Sequence, residues 1–423
     1  MSGQRTADGL LSRGFAFFIS TQFLGAFNDN AFKFLIIGFA MSRLTDDATR
    51  NYIPLASSLF IVPFLLFSSY AGFLSDRFTK RQVMIWTKVL EVVVMLAGFV
   101  LFYCQETYWL LVVLFFMGAQ STFFSPAKYA YLPETLQEKR LSAGNGLLQL
   151  FTFLAIIFGG GIGSHLAERF SAHIHYGAIF CVVVAAVGLL TSFGIGQTRP
   201  GNPAAKCSYD PVLPHFRILK QLFKDPLLMF SILGCTFFWC AATVIQSNIP
   251  IIIHQDIGEG DSAMGYLQAA LALGIGIGSA LAGVLSFGKI AYWFVIPSGC
   301  LMGLFLIISG LSSHSMTMAL TTCSLVGLAG GFYQIPLTAG IQQRSPEALR
   351  GVSLAACNAL DCISMLIGTA LHWLLLRPLF KTGGRIIRLS GGGVLVALGI
   401  LTIGYMLFLV LLRRKTQPNC RKT

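Results

Sequence analysis

The chain has 423 residues, of which 55% are hydrophobic and 11% charged, and its mean hydropathy is +0.72. Water-soluble domains carry about 25% charged residues, so this composition excludes a soluble enzyme or binding domain and points to an integral membrane protein. The formal charge of +13 is no nucleic-acid signature here, because the basic residues gather at the ends of apolar segments, where they orient helices against lipid headgroups.

About 20 apolar residues cross a bilayer as a helix. In chain order, the expected spans are 14–41, 51–74, 82–104, 108–130, 141–167, 174–197, 227–253, 262–287, 289–311, 315–341, 351–376 and 392–412. The first is too long for a signal-peptide core, and no small-residue cleavage site follows it, so a retained span is expected. The longest polar connection, 198–226, holds Pro200, Pro203, Pro211 and Pro214 with five Lys/Arg. It separates an N-terminal six-helix half, 1–197, from a C-terminal half, 227–423, with a basic tail. The halves echo each other. "GFLS" at 72–75 returns as "GVLS" at 283–286, Pro126 as Pro336, Arg140 as Arg350 and Asn145 as Asn358, all at offsets near half the chain length. That agreement implies a duplicated six-helix unit. The predicted fold class is an all-α membrane protein of twelve transmembrane helices in two halves.

An even number of spans puts both termini on one side. With the termini in the cytoplasm, most of the 30 Lys/Arg fall on cytoplasmic segments and adjoining helix ends, including Lys139, Arg140, Arg217, Lys220, Lys224, Arg413 and Arg414. The outer loop 254–261 has Asp256, Glu259 and Asp261 and no Lys or Arg. This is the positive-inside arrangement. The loop 377–388, with Arg377, Lys381, Arg385 and Arg388, runs against it.

The first span carries "QFLGAFNDNAFKF", 22–34, with Asn28, Asp29, Asn30 and Lys33 at its middle. Each charge there costs about 2.5–3.5 kcal/mol on insertion scales. Asp29 and Lys33 are one helical turn apart, acid first, which predicts a pair on one face. Glu91 lies in span three and Asp361 in span eleven. Such residues face a bundle interior or a wet cavity; they serve cargo or ion coupling, or they lock helix packing. The uncharged Asn145, Gln149 and Asn358 are explained as well by interhelical hydrogen bonds as by cargo contact. Lys128, in "SPAKYAYLPE" at 125–134, reads either as a snorkelling lysine beside Tyr129 or as a contact for an anionic phosphate.

Other patterns close off alternatives. "GVLSFGK", 283–289, fits a phosphate-loop pattern, but a membrane span precedes it and Ile290 stands where Ser/Thr would hold Mg²⁺. No nucleotide is expected. "GGGIG" at 159–163 and "GIGIG" at 274–278 read as helix packing or helix bending. The ten cysteines form no CxxC pair, and the seven histidines form no HxxxH or HExxH pattern, so neither a metal nor a bound cofactor is expected. A coupling cation, H⁺ or Na⁺, is the one small partner these charges could serve.

"GFLSDRFTKR", 72–81, falls between spans two and three. It resembles the signature loop of the major facilitator superfamily. Gly72 would allow close helix approach and Asp76 would cap a short turn. Arg77, Lys80 and Arg81 would meet headgroups or acidic groups. In that family this loop latches the two halves on the cytoplasmic side, a gating role. "QFLGAFNDNA" (22–31), "SPAKY" (125–129), "NGLLQ" (145–149), "FSILGCTFFW" (230–239), "GGFYQIPLTAGIQQR" (330–344) and "CNALDCISML" (357–366) together resemble one branch, the bacterial lysophospholipid transporters. The resemblance spans about 14–412. It implies that Asp29 is the branch's first-helix acid, while Asp361 and Gln149 stand where the branch commonly has Glu. It also implies a membrane-lipid cargo, lysophospholipid, moved from the outer to the inner leaflet of the bacterial inner membrane. Reacylation would then fall to an acyltransferase, expected as a separate protein because this chain stops at Thr423. A lateral opening between helices, leaving the acyl chain in lipid, is the expected route. A proton-driven exporter of amphipathic drugs or of a siderophore is the competing transporter. A scaffold or sensor is the competing class, and the intramembrane charges weigh against it.

Overall fold

In a computed structural model of the protein, the described residues are 10, 12–205, 213–259, 261–377, 380–382, 385–387 and 389–416. Among them, the expected spans one to six are α1 (Arg13–Arg43), α2 (Asp46–Arg77), α3 (Lys80–Tyr103), α4 (Leu110–Thr135), α5 (Glu138–Arg169) and α6 (His175–Ser192). A short helix, α7 (Leu213–Leu222), lies in the linker. Spans seven to twelve are α8 (Pro226–Ile251), α9 (Asp261–Leu285), α10 (Val295–Leu311), α11 (Met316–Arg344), α12 (Arg350–Leu375) and α13 (Gly391–Thr416). Among the described residues, eleven helices are long and apolar enough to cross a membrane. The twelfth, α1, has 31 residues, and its central Asn28, Asp29, Asn30 and Lys33 lower its hydropathy. Besides the helices, the basic loop carries a small hairpin that the sequence pattern did not announce. Strand β1 (Phe380–Thr382) pairs antiparallel with β2 (Arg385–Ile387), Phe380 opposite Ile387.

Local chemistry sets the helix ends. The Ser12 hydroxyl accepts the Phe15 N–H at the head of α1. Thr79 and Gln82 form a capping box at the head of α3. Asp225 accepts the N–H groups of Leu227 and Leu228 at the head of α8, where Pro226 takes the first-turn position. Burial acts to raise the Asp225 carboxyl, but the Arg344 hydrogen bond and these two N–H donors outweigh it and hold the group below the ordinary carboxylate range. At its far end α8 continues into a π-helical turn, Ile252–Ile257, closed by Gly258 at φ +81°.

The chain packs into two compact units. One comprises Met1–Arg140, Phe151–Lys220 and Ser345–Ala359; the other comprises Leu141–Leu150, Gln221–Arg344 and Leu360–Thr423. Two segments, at the start of α5 and the start of α12, fall in a different unit from their chain neighbours. In the first unit, Phe32, Leu35, Phe39, Met95, Phe102, Leu114 and Met117 are core residues. In the second, Val244, Met302, Leu306, Val326, Val394 and Leu398 play that part. Large side chains such as Val93, Leu190, Val284 and Leu411 are exposed, which suits a lipid-facing surface.

The glycine runs serve packing. A Cβ at Gly159 would lie 2.3 Å from the Phe27 carbonyl oxygen, and one at Gly163 would lie 2.2 Å from that of Ala31. These positions let α5 touch the backbone of α1. Gly274 and Gly278 do the same for α9 against α11 at Ser324 and Leu328. Gly163→Val is therefore expected to cost about 1–3 kcal/mol, seen as a lower melting temperature in detergent. Gly161→Ala, whose Cβ would meet nothing within 4 Å, should melt with the wild type. Equal melting of all three proteins would refute the packing role.

Candidate substrate site

Within the first unit, α1, α3, α4 and α5, with two phenylalanines from α2, enclose a cavity of about 190 Å³. Asp29, Asn30, Lys88, Glu91, Gln120, Ser121 and Lys128 give it polar and charged walls. Phe60, Phe64, Phe124 and Ile156 give it apolar ones. Its mixed polar and aromatic lining suits a small polar headgroup next to apolar groups.

Helix α1 is the crosspiece. Consecutive residues on it bind different neighbours. The Asn28 amide donates to Glu91 Oε1 on α3 at 3.1 Å. The Asp29 carboxylate accepts from Gln120 Nε2 at 3.1 Å and from Ser121 Oγ at 2.6 Å, both on α4. Asn30 turns back to the Ala26 carbonyl. Among the described residues Asp29 and Lys33 do not come within ion-pair distance, although the two charges still act on each other. Lys33 instead has its ammonium 5.3 Å from the Phe34 ring centre. A one-turn spacing places two side chains on one face, but α4 offers Asp29 two fixed donors at shorter reach.

The buried ion pair of the cavity is Lys88 with Glu91, 2.6 Å apart on α3, with 2% and 1% side-chain exposure. Lys88 and the Gln120–Ser121 pair were missed by sequence reasoning. The i,i+3 spacing of Lys88 and Glu91 and the polar dipeptide inside the apolar run of α4 were the available signals. For Lys128 the sequence left two readings open. Helix α4 does not end near residue 130 but runs through Pro126 and Pro133 to Thr135. Lys128 is thus held within the helix, lining the cavity, with its ammonium 4.6 Å from the Tyr129 ring centre.

Other candidates lie elsewhere. Asn145 and Gln342 exchange two hydrogen bonds, of 2.7 and 2.9 Å, in the second unit. Asn358 donates to Ser125 Oγ at 2.8 Å in the first. Gln149 and Asp361 are half-buried on α5 and α12 and do not line this cavity.

In the 72–81 segment, Asp76 does not cap a short turn. Its two carboxylate oxygens accept the Gly351 and Val352 N–H groups at 2.6 and 3.0 Å, capping the start of α12. Gly72 makes room for this, since its Cβ would lie 2.8 Å from Val352 Cα. Lys80 is buried against Glu134 at 2.9 Å. Arg77 lies beside the Phe73 and Phe78 rings, and Arg81 donates to the Phe193 carbonyl. Among the described residues no cluster of three His, Cys, Asp or Glu could hold a metal ion.

Residues 18–369 match the family model of the Major Facilitator Superfamily. The chain is 27% identical over 402 residues to the lysophospholipid transporter LplT of Enterobacter sp. (strain 638), covering 93% of this chain and 96% of that one. It is 29% identical over 380 residues to LplT of Pectobacterium carotovorum subsp. carotovorum (strain PC1), covering 88% of each. Among solved structures, the human organic anion transporter MFSD10 superposes with a TM-score of 0.73 at 13% identity, covering 93% of this chain and 99% of that one. A variant of the E. coli fucose:proton symporter FucP gives 0.71 at 14% identity, covering 93% and 98%. These structural likenesses carry the fold alone. The relatives are transporters and not enzymes. The family match, running over residues 18–369 and so most of the length, means that the chain belongs to the major facilitator superfamily.

Proposed function

We propose that this protein is a secondary transporter of lysophospholipid, with lysophosphatidylethanolamine as the type cargo, working by alternating access. The observation that carries the reading is the cavity itself. It holds both signs of charge beside phenylalanine walls, which suits a zwitterionic headgroup on an apolar tail. The names of the relatives, lysophospholipid transporters at 27–29% identity, support the same cargo. Moving the tail through water would expose it at about 0.8 kcal/mol per CH₂, so the tail stays in apolar surroundings while the headgroup crosses.

In this reading Asp29 takes the headgroup amine or a coupling cation, H⁺ or Na⁺, and Lys128 takes the phosphate. Asn28 and Glu91 position the site, and Asn30 lines it. Lys33, Asn145, Gln149, Asn358 and Asp361 belong to the wider substrate and coupling path. Gly72, Asp76, Arg77, Lys80 and Arg81 form the gating segment. The two six-helix halves are 1–197 and 227–423, joined by a cytoplasmic linker, 198–226. The membrane is the bacterial inner membrane, cargo moves from its outer to its inner leaflet, and an acyltransferase consumes it.

Uptake of headgroup-labelled lysophosphatidylethanolamine into proteoliposomes tests the cargo. Uptake above protein-free vesicles is expected, and folded protein without uptake would overturn the reading. For orientation, Lys220 and Glu259 are both exposed and suit cysteine labelling once native thiols such as the exposed Cys104 are replaced. In intact cells Glu259→Cys should react with a membrane-impermeant reagent and Lys220→Cys should not. The reverse pattern would invert the topology.

A further inference from the structure

The Lys88 ammonium faces the cavity with donors to spare. An ammonium has three N–H donors, and among the described residues its polar partner is Glu91 Oε2 alone. Its other neighbour is the Phe124 ring, 5.6 Å away at the centre. A buried cation left with unused donors is costly unless an acceptor comes to meet it. Glu91 in turn is held from the other side by the fully buried Asn28, so the carboxylate that fixes Lys88 is itself fixed. Gly25 completes the seat. A Cβ there would stand 2.4 Å from the Lys88 Nζ, so glycine is what lets the ammonium lie against α1.

We propose that Lys88 is a phosphate contact, offering its free N–H donors to a headgroup phosphate that Lys128 meets from the same cavity, with Glu91, Asn28 and Gly25 as positioning residues. Two lysines and two carboxylates line the space. One carboxylate, Glu91, is committed to holding Lys88. The other, Asp29, remains for a headgroup amine. The cavity then matches a phosphate with a nearby ammonium and discriminates against a single-chain amphiphile that has no phosphate. The inference rests on the lysophospholipid reading for its cargo, while its chemistry applies to any phosphate ester on a single chain.

The test is calorimetric titration of nanodisc-embedded protein with three probes: lysophosphatidylethanolamine, dodecyl phosphate and a monoacylglycerol. Two variants are compared with wild type. Lys88→Met with Glu91→Gln removes both charges of the pair together. Gly25→Ala keeps both charges and pushes the flexible end of Lys88 aside. The double variant is expected to bind both phosphate probes about tenfold or more weakly, the loss of a charge-assisted hydrogen bond. Monoacylglycerol binding and ligand-free melting should change little. Gly25→Ala should shift the same two probes in the same direction, and it carries the test if the double variant fails to fold. Wild-type affinity for the phosphate probes in a folded variant would overturn the proposal. So would an equal loss for all three probes, which would mean that Lys88 only supports packing. Wild-type protein that binds dodecyl phosphate through Lys88 but not the lysolipid would sink the cargo reading and leave the phosphate contact standing.

Discussion

Asp29→Asn protein is expected to insert, fold and melt like the wild type while losing lysophospholipid uptake by about 30-fold or more, the cost of removing one member of a buried charge contact. The substitution keeps the shape of the side chain. Its two neighbours tolerate the exchange, because the Ser121 hydroxyl can donate or accept and the Gln120 amide carries both functions. What is lost is the charge that a headgroup amine or coupling cation would meet. Initial uptake rates in proteoliposomes, normalised to folded protein, check this. An unchanged rate would remove Asp29 from the site.

The second large effect is on stability. Lys88→Met alone leaves Glu91 charged and 1% exposed, with the Asn28 amide as its remaining polar partner among the described residues. Breaking one side of a buried pair costs about 3–5 kcal/mol. Adding Glu91→Gln removes the stranded charge and is expected to recover most of that loss. Lys33→Met should cost less than about 1 kcal/mol, because Lys33 has an aromatic neighbour and, among the described residues, no carboxylate partner within ion-pair distance. Unfolding of the purified proteins in mild detergent gives all three values. A Lys88→Met protein as stable as wild type would show that the pair contributes nothing. A Lys33→Met loss as large as that of Lys88→Met would restore the Asp29–Lys33 pairing that the helix spacing suggested.

The contrast between Lys33 and Lys88 shows where sequence reasoning stops. Both lie within one helical turn of an acid, and spacing along one helix cannot tell which acid is already satisfied by a neighbouring helix. For Asp29 the competing partners, Gln120 and Ser121, are 91 and 92 positions away in the chain. Lys128 makes a related point. Two readings were open for it, a snorkelling lysine or a phosphate contact, and because α4 runs on through Pro126 and Pro133 to Thr135, Lys128 lines the cavity. The role of Asp76 was also out of reach, because the N–H groups it caps belong to Gly351 and Val352, far along the chain.

By itself the sequence determined the membrane class, the spanning segments and the superfamily. Those follow from hydropathy along a single helix and from short local motifs, and a bilayer imposes its thickness on each segment separately. The glycine runs were legible as packing surfaces up to the choice of partner. Only the tertiary structure decided that Gly159 and Gly163 seat on α1, that Leu141–Leu150 and Ser345–Ala359 fall in a different compact unit from their chain neighbours, and which buried charges neutralise one another. Partner choice is set by distances between helices, and in an interior where an unpaired charge is costly, a few ångströms decide which neighbour a carboxylate takes.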